Sequence, residues 1–116
     1  MTKAPQIDLL PEHRRIALDI LNAHLPPGAA VWVFGSRAAG RARRYSDLDL
    51  AIDAGRRLTL DDTAILREAF SESDLPFRVD IVDWRAIGDD FRHRIAADRV
   101  VLAGRFHDTM GLDNDT

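Results

Sequence analysis

Hydrophobic residues along the chain follow two periodicities, one typical of helices and the other typical of strands. After Pro11, which suits the first turn of a helix, apolar residues recur at helical spacing as far as Leu25. The Pro-Pro-Gly sequence at 26–28 ends this predicted helix. The next apolar run, Ala30–Phe34, is rich in β-branched and aromatic residues, so it predicts a buried strand that ends at Gly35.

The rest of the chain continues this alternation of strands and helices. Residues 37–45 suit an exposed turn or one short helix, and a capping pattern at Thr59 and Asp62 opens a second long helix that runs to about Ser73. A third strand is predicted over 77–82, a last helix over 89–98 and a short strand over 100–102. The second strand, over 47–53, is predicted to be half-buried, with Leu48, Leu50 and Ile52 on one face and Asp47, Asp49 and Ala51 on the other. This order of elements predicts an α/β sandwich built on a small sheet.

The size of the chain limits what it can do alone. Its 116 residues suffice for one domain, expected over 1–103, followed by a polar and flexible tail over 104–116. A macromolecule or small molecule on which it acts must therefore supply part of the binding surface. The chain has no cysteine, which excludes disulfides, thiolate zinc sites and cysteine nucleophiles. No apolar run reaches the length of a signal peptide or a membrane span, so we expect a cytoplasmic protein with no membrane partner.

Basic residues are concentrated in one stretch of an acidic chain. The net charge is −3, yet four arginines fall within eight positions: Arg37, Arg41, Arg43 and Arg44. Direct nucleic-acid binding is not expected, because non-specific affinity for nucleic acid comes from many basic contacts. A small anionic ligand near this stretch fits better. For any single arginine, a solvated surface position is the commoner role.

Two aspartates of the second strand form a candidate metal site. Asp47 and Asp49 project from the same face, about 7 Å apart along the backbone. Like charges at this separation destabilise a fold unless a cation lies between them, and a divalent ion with oxygen ligands is the simplest remedy. Mg²⁺ is the first candidate. Such an ion orients triphosphates for in-line displacement, so phosphoryl or nucleotidyl transfer is the predicted chemistry.

The turn after the first strand is a candidate phosphate site. Gly35 lets the backbone approach a ligand without an intervening side chain, and the Ser36 hydroxyl adds a hydrogen bond. Arg37 is predicted to add a charged, bidentate contact to phosphate oxygens. A Gly-Ser pair after a strand is more often a simple turn, so this feature alone carries little weight.

Asp80 is the third candidate carboxylate. It lies in the middle of the third predicted strand between apolar residues, where a buried carboxylate needs a partner. It is predicted to approach the metal near the attacking group and to accept the proton of the acceptor hydroxyl as a general base. A lone D-x-D pair is usually structural. The joint pattern of strand, Gly-Ser, D-x-D and a later aspartate is far more specific.

These motifs resemble those of a known superfamily. Val33-Phe34-Gly35-Ser36, the ten residues 37–46 and Asp47-Leu48-Asp49 resemble the G-S-x10-D-x-D signature of the DNA-polymerase-β-like nucleotidyltransferases. In particular, the chain is similar over about residues 31–82 to the minimal nucleotidyltransferases, the MNT antitoxins that pair with HEPN-domain toxins. One departure is Ala39, which stands where many members carry a second arginine in the turn after the Gly-Ser pair.

The resemblance implies a fold, an activity and a partner. The fold would be a small mixed β-sheet flanked by helices, an α/β (α+β) architecture. Asp47, Asp49 and Asp80 would be the catalytic, Mg²⁺-binding residues, while Gly35 and Ser36 would contact the triphosphate. The activity would be transfer of AMP from ATP to a hydroxyl, typically a tyrosine, of a cognate HEPN toxin, with which the chain would form an oligomer.

Two other functions remain open at the level of sequence. The chain could be an antitoxin that acts by binding and occlusion without catalysis, which its small size and Ala39 favour. It could also be a small-molecule nucleotidyltransferase of the aminoglycoside-modifying type. Enzymes of that type normally need a further domain or a dimer to close the acceptor pocket.

Overall fold

The computed structural model of the protein describes residues 7–103, and the predicted tail over 104–116 lies outside them. The described residues form a series of helices and strands in the predicted order. No helix in this part of the chain is long and apolar enough to cross a membrane. The elements are α1 Pro11–His24, β1 Ala30–Phe34, α2 Ser36–Ala39, β2 Leu48–Asp53, α3 Leu60–Ser71, β3 Val79–Asp83, α4 Asp89–Asp98 and β4 Val100–Ala103.

The third strand differs most from its prediction, because β3 begins at Val79 instead of residue 77. Phe77 packs outside the sheet, with the Arg37 guanidinium 4.1 Å from its ring centroid and His13 against its edge. The sheet ladder therefore starts opposite Leu48, the first residue of β2.

The strands form one mixed sheet in the order β3-β2-β1-β4. The central strand β1 runs antiparallel to both β2 and β4, whereas β2 and β3 are parallel. The parallel pair is connected through α3, as parallel neighbours require a crossover. The expected small mixed sheet flanked by helices is confirmed. Since β3 ends the strand order, its outer edge has no partner strand within residues 7–103.

One face of the sheet is covered by α1 and α3 and forms the main core. Alternating residues of β1 and β2 point into it, and the two helices contribute one apolar stripe each. The α3 helix begins with the predicted capping box, in which Thr59 and Asp62 exchange hydrogen bonds. Fully buried core residues include Leu21, Val31, Val33, Leu48, Leu50, Ile52 and Leu66.

The opposite face carries a smaller aromatic cluster under α4. Trp32 lies on this face and contacts Trp84, with ring centroids 5.3 Å apart. The Arg99 guanidinium stacks on both rings, at 4.1 and 4.7 Å from their centroids. Ala51, predicted to lie on a polar face, is fully buried because Trp32 is its cross-strand neighbour. This cluster lies beside the middle of β2, whereas the aspartates lie near its start.

Candidate active site

The three predicted carboxylates lie on the same face of the sheet. Asp49 on β2 is directly opposite Asp80 on the parallel strand β3, and neighbouring strands are about 4.8 Å apart. Asp47 immediately precedes β2 and projects from the same face as Asp49. Pairing of two adjacent strands therefore brings together residues 33 positions apart in sequence, Asp47 and Asp80, as the sequence predicts.

Arg78 lies between two of these carboxylates. Its Nη2 atom is 3.5 Å from Oδ2 of Asp47 and 3.6 Å from Oδ2 of Asp80. The Arg78 side chain is 75% exposed, so it can swing away at little cost. The sequence analysis missed this residue, although a signal existed: Arg78 precedes Asp80 by two positions, which places both side chains on one face of a strand.

The electrostatics of the group favour a bound cation. The pKa of Asp49 is raised from 3.8 to about 6, first by burial and then by the negative charges of Asp80 and Asp47. The positive charge of Arg78 opposes this rise without cancelling it. Negative charge at the three carboxylates, Asp47, Asp49 and Asp80 (the carboxylate trio), therefore exceeds what the neighbouring side chains neutralise.

The donor set of the trio fits a hard divalent ion, since all of its ligand atoms are carboxylate oxygens. Within residues 7–103, however, no three histidine, aspartate or glutamate side chains are placed closely enough to hold a metal ion together. The guanidinium of Arg78 lies between Asp47 and Asp80, within 3.6 Å of both carboxylates. Metal binding would thus require Arg78 to move and the carboxylates to rotate inwards.

Gly35 brings the backbone against the carboxylate trio. Its φ of 74° and ψ of −153° lie in a region that essentially only glycine occupies. A Cβ at this position would collide with Oδ2 of Asp49 and would lie 3.3 Å from its Cγ. Ser36 follows as the first residue of α2 and is half-buried. The predicted Gly-Ser turn and the predicted D-x-D pair are therefore in direct contact.

Arg37 does not take the predicted role of a phosphate ligand. Its side chain is only 5% exposed, and its guanidinium donates hydrogen bonds to the carbonyl oxygens of Asp8, Arg44 and Ser46. The Asp8 N–H in turn donates to the carbonyl of Arg37. The prediction was wrong because the loop over 40–47 folds back over α2 and presents its carbonyls to this side chain. Arg37 holds that loop, and with it the start of β2, against α2.

Two other aspartates near the motif are excluded from the site. Asp53 lies at the far end of β2, where its Oδ1 pairs with Nε of Arg85 at 2.6 Å. Asp83, at the far end of β3, accepts a hydrogen bond from the Leu58 N–H at 2.7 Å. Both carboxylates bind residues of the loops that follow β2 and β3, at the end of the sheet opposite the carboxylate trio.

A groove opens beside Asp80 at the outer edge of β3. It has a volume of about 820 Å³, and its walls include charged and aromatic side chains as well as the edge of the strand. Asp80 is 44% exposed and is the acidic member of the lining, while Arg67 and Arg78 are basic. The groove therefore reaches Asp80 from the free edge of the sheet, with β2 between it and β1.

Comparison with known proteins identifies the family of the chain. The family described as "Polymerase beta, Nucleotidyltransferase" matches residues 19–108, which include the carboxylate trio and the Gly-Ser turn. A protein of Haemophilus influenzae, described as "Probable protein adenylyltransferase MntA", is 47% identical over 102 residues, covering 88% of this chain and 89% of the relative.

Solved structures share the fold. A crystal structure of a toxin–antitoxin complex with AMP-PNP contains a chain that is 25% identical, with a TM-score of 0.69 over 78% of this chain and 73% of the other. A complex of a tri-AMPylated HEPN toxin of Shewanella oneidensis with its MNT antitoxin gives a TM-score of 0.59 at 21% identity, over 78% and 72% of the two chains. Because the family model matches most of the chain and the Haemophilus relative is 47% identical over 88% of it, the chain belongs to the polymerase β nucleotidyltransferase family.

Proposed function

We propose that the protein is an antitoxin that transfers AMP from ATP to a hydroxyl of a cognate HEPN toxin and so neutralises it. One observation carries this proposal: Asp49 lies opposite Asp80 on adjacent strands, with Asp47 on the same face and the backbone of Gly35 packed against Asp49. This arrangement offers carboxylate oxygens for a metal beside a backbone turn that a triphosphate can approach closely.

Asp47, Asp49 and Asp80 would hold Mg²⁺, and the turn at Gly35 and Ser36 would contact the triphosphate. The ion, when bound, would neutralise charge on the phosphate oxygens. Asp49 must be ionised to act as a ligand, so the cation would also reverse the rise of its pKa. Arg78 would leave its position between Asp47 and Asp80 when the ion enters.

The order of the strands suits an in-line displacement. The Gly-Ser turn follows β1, Asp47 and Asp49 belong to β2, and Asp80 lies on β3 at the sheet edge. The acceptor hydroxyl would enter through the groove at this edge and give its proton to Asp80. Its oxygen would bond to the α-phosphorus of ATP while the bond from that phosphorus to pyrophosphate breaks. AMP would remain on the acceptor, and pyrophosphate would leave on the side of the Gly-Ser turn.

The proposed acceptor is a tyrosine of the toxin. The Haemophilus relative is described as a protein adenylyltransferase, and one structure with the same fold contains an AMPylated HEPN toxin. The groove of about 820 Å³ beside Asp80 is open and can admit a side chain of a protein partner.

The test is transfer of label from α-labelled ATP, with Mg²⁺, to the product of the adjacent gene, followed by mapping of the modified residue by mass spectrometry. The wild-type protein is expected to label a tyrosine. Asp47→Asn is expected to reduce transfer by at least about 10- to 100-fold, because it removes a metal ligand. Undiminished labelling by Asp47→Asn, or labelling of an aminoglycoside in the absence of any partner, would overturn the proposal.

Neutralisation by binding alone is a second candidate function. It is favoured by Ala39 at a turn position where many members carry arginine, and by the exposed groove beside Asp80. Co-expression separates the two functions. Restoration of growth by Asp47→Asn in cells that produce the toxin would establish occlusion, whereas continued toxicity would establish that catalysis is required.

A further inference from the structure

The chain contains a single tyrosine, Tyr45, whose side chain is 64% exposed. Tyr45 lies in the turn that precedes β2, two residues before Asp47 of the carboxylate trio. The proposed transfer to a toxin gives this residue no part. Its phenol is nevertheless a hydroxyl of the class that the proposed reaction modifies, and it lies close in sequence to the proposed metal ligands.

Tyr45 and Asp80 line the same groove, the one of about 820 Å³ at the outer edge of β3. Residues 75–80 also line it, so the groove follows the chain into β3 as far as Asp80. In the proposed reaction, Asp80 accepts the proton of the incoming hydroxyl. A phenol that turns into this groove therefore enters the space that the acceptor of a partner would occupy.

The backbone on both sides of Tyr45 is anchored, whereas its side chain lies largely in solvent. The carbonyl oxygens of Arg44 and Ser46 accept hydrogen bonds from Nη2 of the buried Arg37, at 3.3 and 2.8 Å. The Tyr45 ring contacts the exposed guanidinium of Arg44, which lies 5.5 Å from its centroid. Rotation about the side-chain bonds can therefore turn the phenol into the groove while the loop keeps its position.

Ser71 is the other residue of the groove lining that carries a hydroxyl. It is the last residue of α3, so the helix fixes its position, and its hydroxyl is one carbon away from the backbone. The Tyr45 hydroxyl lies at the end of a ring and can reach further into the groove. Tyr45 is therefore the better acceptor of the two.

The charges around the groove also suit a phosphorylated product. A tyrosine that carries AMP has one negative charge on its phosphodiester. Arg44 lies against the Tyr45 ring, and Arg67 and Arg78 belong to the groove lining. Guanidinium groups form strong, charge-assisted hydrogen bonds with phosphate oxygens, so these arginines can hold the modified side chain.

We propose that Tyr45 is a self-modification site, to which the chain transfers AMP from ATP when no partner hydroxyl occupies the groove. The proposal rests on the proposed function and adds an acceptor within the same molecule. The Tyr45 oxygen bonds to the α-phosphorus of ATP, the bond from that phosphorus to pyrophosphate breaks, and the phenol proton passes to Asp80. The attached AMP then lies in the groove that a partner's acceptor must enter, so the modified chain labels the toxin more slowly.

Incubation of the full chain alone with α-labelled ATP and Mg²⁺ tests the proposal, with the modified residue mapped by mass spectrometry. Wild-type protein is expected to carry AMP on Tyr45. Tyr45→Phe keeps the ring but lacks the hydroxyl, so it should lose the label. Ser71→Ala is the matched control at the other hydroxyl of the groove and should keep the label. AMP on Ser71, or equal labelling of Tyr45→Phe and wild type, overturns the proposal.

A mixture of two variants tests whether the transfer occurs within one molecule. Tyr45→Phe has the carboxylate trio but no acceptor phenol, whereas Asp49→Asn has the phenol but lacks a proposed metal ligand. Transfer within one molecule predicts no label on Asp49→Asn in this mixture. It also predicts that the fraction of wild-type protein labelled per unit time is independent of protein concentration. Label on Asp49→Asn would show transfer between copies and would overturn the proposal.

Addition of the toxin separates this proposal from the proposed function. Wild-type protein that labels the toxin but never itself refutes self-modification and leaves the transferase standing, whereas labelling of neither overturns the proposed function. After preincubation with ATP, Tyr45→Phe should label the toxin faster than wild type, because its groove stays open. Equal or slower labelling by Tyr45→Phe would contradict blockage of the groove by the AMP on Tyr45.

Discussion

Gly35 and Asp49 pack so closely that a single methyl group added at residue 35 would collide with the Asp49 carboxylate. Gly35 directly follows β1 whereas Asp49 lies on the neighbouring strand β2, and Gly35 reaches this position with a positive φ that other residues rarely adopt. The contact joins the two halves of the motif, the turn and the D-x-D pair. It also explains physically why the turn requires glycine, apart from any contact with phosphate.

Gly35→Ala is expected to abolish function by displacing Asp49. A shift of about 1 Å in such a group can cost about 100-fold in rate, so we expect at least that loss of nucleotidyl transfer. Gly28→Ala is the matched control, because Gly28 has a φ of +85° and no atom within 4 Å of an added Cβ. Both variants should lose about 1–3 kcal/mol of folding stability from backbone strain. Equal activity of the two variants, measured with labelled ATP, would contradict the proposed contact.

Asp49→Asn is expected to stabilise the metal-free protein above pH 6. The raised pKa of Asp49 means that the folded state binds a proton that the unfolded state has lost, so wild-type stability falls as pH rises from about 4 to about 6. Asparagine does not ionise, so the variant does not lose this stability as the pH rises. Urea unfolding at pH 7 and at pH 4 checks the sign: the variant should be the more stable at pH 7, and the difference should shrink at pH 4.

Addition of Mg²⁺ gives the matching control for Asp49→Asn. A ligand that binds only the folded state stabilises it, so Mg²⁺ should raise the stability of wild-type protein and have little effect on the variant. If Asp49→Asn instead destabilises the protein at pH 7 without Mg²⁺, other groups offset the negative charge of the Asp49 carboxylate. That result would contradict the prediction.

Arg37→Lys is expected to destabilise the fold although the charge is kept. The guanidinium reaches three different carbonyl groups and also stacks on Phe77, a combination that a lysine ammonium cannot reproduce. We expect a loss of about 2–4 kcal/mol, since several buried hydrogen bonds are left unmade. Arg41→Lys, at an exposed position of the same loop, should change stability by less than about 0.5 kcal/mol. Thermal unfolding gives the melting temperatures of Arg37→Lys and Arg41→Lys. Equal values would refute the structural role of Arg37.

Arg78→Gln is expected to tighten the binding of Mg²⁺ in the absence of nucleotide. The arginine lies 3.5 Å from Asp47 and 3.6 Å from Asp80, so it competes with a cation for their oxygens. Exposed ion pairs are worth up to about 1 kcal/mol, which corresponds to a gain of about 2- to 5-fold in affinity. Titration with Mg²⁺ measures the affinity of each variant. Arg56→Gln is the control, because Arg56 pairs with Asp62 away from the site. Weaker binding by Arg78→Gln would contradict competition.

Local signals in the sequence predicted most of the fold. Pro11 at the start of α1, the capping box at Thr59 and the alternation in β2 each depend on residues a few positions apart, and all three features are present. The alignment of Asp49 with Asp80 follows from pairing two strands that alternate in the same phase. These features could be predicted because neighbouring residues determine them.

Features that depend on long-range packing were not predictable in the same way. The burial of Ala51 arises from Trp32 and Trp84, which come from two other parts of the chain. Arg37 was assigned to phosphate because an arginine after a Gly-Ser turn suits that role, whereas its bonds to Asp8 and Ser46 depend on how two loops fold back.

The most direct test of the central claim is the rate of AMP transfer by Asp80→Asn compared with Asp53→Asn. Asp53 lies on the same strand as Asp49 but at the opposite end, where it pairs with Arg85, so its variant controls for loss of a carboxylate outside the site. The account predicts a rate about 100- to 10,000-fold below wild type for Asp80→Asn, the usual contribution of a general base, and an almost unchanged rate for Asp53→Asn. Transfer by Asp80→Asn at the wild-type rate would contradict the assignment of the carboxylate trio as the catalytic centre.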